Sequence, residues 1–387
     1  MQLSKLVSTS APNVLQTLDA KRIEMKHAGR EVINLSAGTP DLPPPEHVLR
    51  AVSEAALNPG NYAYTLLDFP ELQDAVMSWY DRRYGVEIGR DELLSVNGSQ
   101  EGFTHIFHVL CDPGDVVIIP DPGYSIFSFG PRLAGAAVFK VPLKPENNFL
   151  IDFDDIPAEV ARKARVIIAS YPANPVGAVA TEAFYEQLIA FAKKNDIVVI
   201  HDNAYSEFVH EGPLGGSFLA MPGAKDVGIE FNSLSKSYNL SGLRVSFVLG
   251  NREIIGAFTK LRTQIDYGLS TLDQIAAITA LNGPQDAVAR NRAAYRERRN
   301  MFCTALREVG WDVPMTPATM FTWFPIPDGY TSESFCMTLL EKTGVVSVPG
   351  SAYGANGGGW VRFALVRPPE DLKRAAELIG VSGMFVK

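Results

Sequence analysis

The sequence predicts an α/β fold with a largely parallel sheet, followed by a smaller α+β unit, and three observations carry that expectation. Short runs rich in Val and Ile recur through the middle of the chain: Asp115–Pro120 (DVVIIP), Arg165–Ser170 (RVIIAS), Asp196–His201 (DIVVIH) and Val227–Phe231 (VGIEF). Continuous apolar runs of this kind suit strands covered by helices on both faces. Amphipathic stretches separate them, such as 181–195, where Phe184, Leu188, Phe191 and Ala192 recur at helical spacing behind Thr181, a residue able to cap the first turn. After about Gly283 the character changes, as a charged helical stretch (AVARNRAAYRERRNMFCTALREVG) leads into alternating segments at Thr319–Phe324 and Val361–Val366.

At 387 residues the chain exceeds the size at which one hydrophobic core usually stops growing, so two domains are expected. Hydrophobic residues make up 46% and charged residues 20%, enough apolar area to exclude a disordered chain. The formal net charge of −8, with no run of like charge, argues against a surface that binds nucleic acid. Cys111, Cys303 and Cys336 lie far apart and read as buried thiols of a reducing compartment, with no zinc or redox spacing and no expected metal. The opening MQLSKLVSTSAPNVLQTLDA lacks the apolar stretch of a signal peptide, and no run approaches the ~20 residues of a membrane span; a cytoplasmic protein without membrane partners is expected. The segment SAGTPDLPPP is too proline-rich for a core element, so the first 45 residues are expected to wrap the body as an arm.

Each predicted strand runs into a short polar stretch: VIIPDPGYS, VIIASYPANPVG, VVIHDNAYS and IEFNSLSKSYN. In an open α/β sheet ligands bind at the carboxyl ends of the strands, so Tyr124, Asn174, Asp202, Tyr205, Ser233, Ser235, Lys236 and Arg244 are expected to converge. A lysine, an aspartate, a tyrosine and an asparagine on neighbouring strand ends suit an aldehyde cofactor held as a Schiff base, and pyridoxal phosphate asks for these groups. Its phosphate needs a cradle. Asn97-Gly98-Ser99-Gln100 offers one ahead of a helical pattern (Phe103, Ile106, Phe107, Leu110), with Ser233 and Arg244 to complete it. His201 and His210 read as structural, because this chemistry already has its base.

The string SLSKSYNLSGLR resembles the Schiff-base lysine signature of fold-type-I pyridoxal-phosphate aminotransferases, the aspartate aminotransferase superfamily. YPANPVG, HDNAY, NGSQEG and GWVRFAL resemble that family's other motifs, in the family's order over nearly the whole chain. Within it the chain is most similar to the diaminopimelate aminotransferase-like group, through HDNAYSEF, PGAKDVGIEFNSLSKSYN and DPGYSIF.

The resemblance implies a mostly parallel, seven-stranded-type sheet between helices, forming a large cofactor-binding domain (46–283), and a small α+β domain built from both termini (1–45 and 284–387). It implies a transaminase that moves an amino group between an L-amino acid and a 2-oxo acid through a Lys236 Schiff base and a pyridoxamine form. The alternative is a carbon–sulfur β-lyase or another lyase on the same fold. By the same resemblance Asp202 pairs with the pyridine nitrogen, Asn174 and Tyr205 hold the ring hydroxyl and Tyr124 stacks on the ring. Gly98, Ser99, Gln100, Ser233, Ser235 and Arg244 surround the phosphate, while Arg362, Asn174 and the Gly38 backbone hold the substrate carboxylate. A homodimer with composite sites is implied as well, with Tyr62 or Tyr64 and the loop 266–270 reaching the neighbouring subunit's phosphate.

Three departures from the pattern stand out. Gln100 replaces a lysine common in the group, which predicts a preference displaced toward neutral or amphipathic amino acids, with dicarboxylate and diaminopimelate activities weakened. NYAYTLLDFPEL differs from the usual early tyrosine segment, and Gly358 stands where the family often has glutamate. A nicotinamide enzyme is disfavoured: the one glycine cluster, GANGGG, has neither the spacing nor the position of a dinucleotide loop.

Overall fold

The computed structural model describes residues 14–385. In chain order its strands are β1 (Ile33–Asn34), β2 (Leu93–Val96), β3 (Val116–Asp121), β4 (Ala137–Pro142), β5 (Ala164–Ser170), β6 (Val198–Asp202), β7 (Gly228–Ser233), β8 (Ser246–Gly250), β9 (Phe321–Pro325), β10 (Val345–Val346), β11 (Val348–Pro349) and β12 (Trp360–Ala364). Seven of them form one sheet in the order β2-β8-β7-β6-β5-β3-β4. All neighbours in it are parallel except β8, which runs against both β2 and β7.

Alternate residues of the same strands feed two apolar layers. Ile118, Ile167, Ala169 and Val199 enter one cluster, while Val117, Ile119, Val166, Ile168 and Ile200 enter the other. That two-sided burial is why β3, β5 and β6 are legible as apolar runs, whereas β7 gives Ile229 and Phe231 to one layer and the buried Glu230 to the other face. The edge strand β4 is half exposed and so lacks such a run.

The helix Glu182–Asn195 starts where Thr181 Oγ1 accepts from Phe184 N at 3.2 Å, as its sequence predicts, and stops at Asp196 in the left-handed region. Behind Gly98 the predicted helix is split into Ser99–His105 and Phe107–Leu110, with Phe103, Ile106 and Phe107 fully buried.

A third apolar cluster lies outside the large sheet. It gathers Leu18 and Met25 of helix Val14–His27, Ile33, Tyr295 and Phe302 of helix Asp286–Glu308, residues of β9 and β12, and Leu372 and Ile379 of helix Pro369–Gly380. β1 pairs in parallel with β10, and β11-β12-β9 form a small antiparallel sheet. The expectation of an arm over the first 45 residues is therefore corrected for residues 14–35: they are a helix and a short strand seated in this cluster, because Leu18, Met25 and Ile33 supply buried contacts. The segment Ser36–Pro45 carries no regular element beyond, and residues 1–13, including most of the opening segment, lie outside the described residues.

Among the described residues no helix is long and apolar enough to cross a membrane, and no group of three metal-ligating side chains forms. All three cysteines are free and buried, and burial pushes their thiols up to about 11 to 12.

Candidate active site

The carboxyl ends of β5, β6 and β7 open into one cleft of about 1180 Å³. Its wall includes Gly38, Ser99, Gln100, Tyr124, Asn174, Asp202, Tyr205, Ser233, Ser235, Lys236, Arg244 and Arg362. Gly98 abuts it through Arg244, and Tyr64 lies elsewhere on the surface, 84% exposed.

Lys236 sits in the short helix Leu234–Ser237, whose start is fixed by Ser233 accepting from Ser235 N at 3.2 Å. Its Nζ donates to the Gly38 carbonyl at 2.6 Å. Burial, followed by the nearby Arg362 and Arg244 guanidinium groups, lowers its ammonium to about 8. Asp202 ends β6. Its carboxyl is pushed up to about 6 by burial, and its Oδ1 has no hydrogen-bond partner. Tyr205 is also buried, which pushes its phenol well above the ordinary range, and its ring meets Phe321 edge-on at 5.9 Å.

On β12, Val361 and Phe363 point into the third apolar cluster, so alternation turns Arg362 to the cleft. Arg362 Nη1 donates to Asn174 Oδ1 at 3.1 Å and Nη2 to the Ser36 carbonyl at 2.8 Å. Its guanidinium lies 4.0 Å from the Phe321 ring centre and 5.1 Å from that of Tyr353, while Nε has no partner.

Gly98 has φ +88°, and a Cβ there would come within 2.1 Å of Arg244 Nη2. Only glycine admits the guanidinium this close. A file of hydroxyls runs through the cradle: Ser99 Oγ donates to Ser246 Oγ at 3.1 Å, which donates to Ser233 Oγ at 2.8 Å. Gln100 Oε1 accepts from Tyr124 OH at 3.1 Å, so this side chain orients the aromatic ring as well as replacing a charge.

Several residues at or behind the cleft escaped the sequence reading. Ser246, buried behind Ser99 and Ser233, lies on β8, a strand without a polar terminal motif, and Phe321 and Tyr353 flank Arg362. At the mouth stand exposed Arg132 and Lys140, with Glu333 opposite in chemistry. Glu333 accepts from the Ser351 hydroxyl and from Ser332 Oγ at 3.3 Å, and the first of these bonds holds its carboxyl below the ordinary range.

The loop 266–270 turns its side chains both ways. Asp266 turns inward: Oδ2 accepts from Asn97 Nδ2 at 2.7 Å and from Arg262 Nη2 at 2.8 Å. Tyr267 turns outward, 5.0 Å from the Tyr64 ring. His210 Nε2 faces the Thr319 carbonyl at 2.7 Å, and burial lowers this imidazole to about 4, in keeping with a structural role.

Comparison with known proteins places this geometry. The sequence profile of the family described as "Aminotransferase class I and II" matches residues 30–379. The chain is 43% identical to an LL-diaminopimelate aminotransferase of Dehalococcoides mccartyi over 97% of both chains, and 40% identical to one of Moorella thermoacetica, again over 97% of each. Among solved structures, substrate-bound BacF from Bacillus subtilis superposes with a TM-score of 0.94 at 35% identity over 98% of each chain. A probable N-succinyldiaminopimelate aminotransferase from Thermus thermophilus does so at 0.90 and 36% identity, over 95% of this chain and all of that one. The chain belongs to the class I and II aminotransferases, and as a pyridoxal-phosphate-dependent transaminase it exchanges amino groups between small amino acids and 2-oxo acids.

Proposed function

We propose that Lys236 is the amine that would hold the cofactor's aldehyde, and that the substrate is an amino acid whose far end carries both an ammonium and a carboxylate. The observation that carries the first part is the convergence of Lys236, Asp202, Asn174 and Arg362 from four separate segments on one cleft. The residues fit the group. Asp202 Oδ1 is buried and unpartnered, as a partner for a protonated ring nitrogen would be, and Gly98, Ser99, Ser233, Ser235 and Arg244 would surround the phosphate. Tyr205 and Asn174 would hold the ring hydroxyl, with Tyr124 against the ring. When bound, the cofactor supplies an electron sink for the substrate's α-carbon.

The chain's own groups have definite tasks in this reading. Arg362 presents two N–H groups and the unpartnered Nε to a substrate α-carboxylate, with Asn174 fixing its fork. Phe321 and Tyr353 keep water from its faces, which strengthens the ion pair. Lys236, once released from the cofactor, has an amine that at neutral to mildly basic pH can take and return the α-proton, because its surroundings hold it near 8.

The relatives named LL-diaminopimelate aminotransferase motivate the substrate class, and the cleft mouth supports it. Arg132 and Lys140 offer cations to a distal carboxylate, and the firmly ionised Glu333 offers an anion to a distal ammonium. The expectation from Gln100, a preference displaced toward neutral or amphipathic amino acids with diaminopimelate activity weakened, rested on that position alone; the charged side chains lining the cleft support the doubly charged class instead. Half-reaction spectroscopy of the holoenzyme with LL-diaminopimelate, glutamate, aspartate, alanine and phenylalanine tests this: LL-diaminopimelate should give the highest kcat/KM, and a higher value for alanine or phenylalanine contradicts it.

We also infer a cytoplasmic homodimer and a division into a large domain (46–283) and a small one from both ends. Exposed Leu57, Tyr62, Tyr64, Leu66 and Leu67 adjoin exposed Ile265 and Tyr267, an apolar surface that supports self-association. The third cluster, drawing on residues 18–35 and 295–379 with Tyr205 and Phe208, supports the division.

A further inference from the structure

His201 immediately precedes Asp202 on β6, so the two side chains leave the sheet on opposite faces. His201 and its partner Glu230 on β7 are wholly buried. The surroundings fix most of the protons. His201 Nε2 lies 3.1 Å from the Tyr171 carbonyl, which can only accept, so Nε2 carries a hydrogen. Tyr185 OH lies 3.0 Å from the same nitrogen.

The remaining question is the proton between His201 Nδ1 and Glu230 Oε2, which are 2.8 Å apart. Glu230 already accepts from Tyr80 OH at 2.8 Å, Phe218 N at 2.9 Å and the Ser217 hydroxyl at 2.9 Å. Glu230 thus faces three donors besides the imidazole, a surrounding made for an acceptor. The other titratable groups around the pair are Tyr171 after β5, Tyr185 on helix Glu182–Asn195, and Tyr80 and Tyr84 on helix Pro70–Tyr84. Burial keeps all four phenols neutral. An imidazolium at His201 would favour the Asp202 carboxylate more than Glu230 opposes it.

We propose that His201 is a positioning residue: an imidazolium locked by Glu230 behind the sheet, which keeps Asp202 ionised despite its burial and so strengthens the hold on the cofactor's ring nitrogen. This rests on the reading of Asp202 as the partner of that nitrogen.

The test uses the full chain labelled with ¹⁵N-histidine, whose six histidines keep the spectrum sparse. In wild type at pH 8 His201, distinguished from the other buried histidine, His210, should show both ring nitrogens protonated. Glu230→Gln keeps the acceptor for Tyr80 and Ser217 at the Oε1 position but presents an amide N–H to Nδ1 at the Oε2 position, which also takes the acceptor from Phe218 N. It should switch that signal to the neutral Nε2–H form. The cofactor dissociation constant of the reconstituted chain should rise roughly three- to tenfold, a loss that corresponds to up to one unit of acidity at Asp202. Glu230→Asp, which keeps the charge, should retain the imidazolium signal and recover part of the affinity.

A bare Nδ1 in wild type overturns the proposal. So does a Glu230→Gln chain that loses the proton yet binds the cofactor as wild type does, provided that Asp202→Asn weakens binding. If Asp202→Asn also leaves binding unchanged, it is the reading of Asp202 that fails, while the proton assignment still stands or falls on the nitrogen signals.

Discussion

Asn174 and Arg362, 188 residues apart in sequence, meet in a 3.1 Å hydrogen bond from Arg362 Nη1 to Asn174 Oδ1. One residue follows the end of β5 in the large sheet and the other lies on β12 of the small one. The contact therefore ties the end of β5 to β12 across the cleft, and it leaves Nε without a partner in the buried site.

Arg362→Lys should keep a positive charge but lose the fork. Because hydrogen bonds to charged groups contribute about 1.5–3 kcal/mol each, kcat/KM should fall on the order of 10²-fold. Cofactor content should remain unchanged. Steady-state kinetics with absorbance of the bound cofactor separates the two effects, and a wild-type kcat/KM would remove Arg362 from the clamp.

Gly98→Ala places a methyl against the Arg244 guanidinium and forces an L-residue to φ +88°. Strain of about 1–3 kcal/mol at such a position should weaken cofactor binding roughly 5- to 100-fold. Titration of the apo chain checks this; an unaltered dissociation constant would show that Gly98 is not part of the cradle.

Protonation of Lys236 should be visible in the apo chain. Its ammonium is lowered to about 8, so about half of it is free amine at pH 8, whereas an ordinary lysine at 10.5 is almost wholly protonated there. Competitive acylation followed by mass spectrometry should give Lys236 a reactivity midpoint near pH 8. A midpoint near that of exposed Lys193 would count against the buried, arginine-flanked environment.

Asp202 gives a stability signature of definite sign. Its folded-state value, about 6, lies above the ordinary 3.8 of an unfolded chain, so its contribution is present below about pH 4 and is lost as pH rises to about 6. The loss amounts to about 3 kcal/mol in the apo chain. Denaturant unfolding of apo wild type and apo Asp202→Asn across that window should show the difference between them shifting in favour of the variant; parallel curves would contradict it.

The apolar surface around Tyr64 and Tyr267 leads to a prediction about assembly. Tyr64→Asp combined with Tyr267→Asp puts two charges into it, and sedimentation velocity should then show a monomer, whereas wild type should sediment as the proposed dimer. An unchanged sedimentation coefficient would place the interface elsewhere.

What the sequence made legible follows from physics that is local. β3, β5 and β6 announce themselves as apolar runs, and their polar ends, with that of β7, carry Tyr124, Asn174, Asp202 and Lys236 into one cleft. Thr181 and Gly98 act through their own backbone neighbourhood and could be read directly. Residues whose role depends on distant contacts were silent. Ser246 matters because β8 runs antiparallel between β2 and β7, and Glu333 because Ser351 is folded back on it. The helix Val14–His27 was hidden because its few buried residues, Leu18 and Met25, sit on a mainly polar segment next to a proline-rich one. His201 reads as an ordinary strand residue until Glu230, Tyr171 and Tyr185 are brought around it.

The assignment of Lys236 as the covalent anchor is tested most directly by borohydride reduction of the holoenzyme followed by peptide mapping. The pyridoxyl mass should appear on the peptide that contains Ser235-Lys236-Ser237, and Lys236→Ala should carry none. The label on any other lysine of the wild-type chain, or its absence from a chain that turns over normally, would contradict the account.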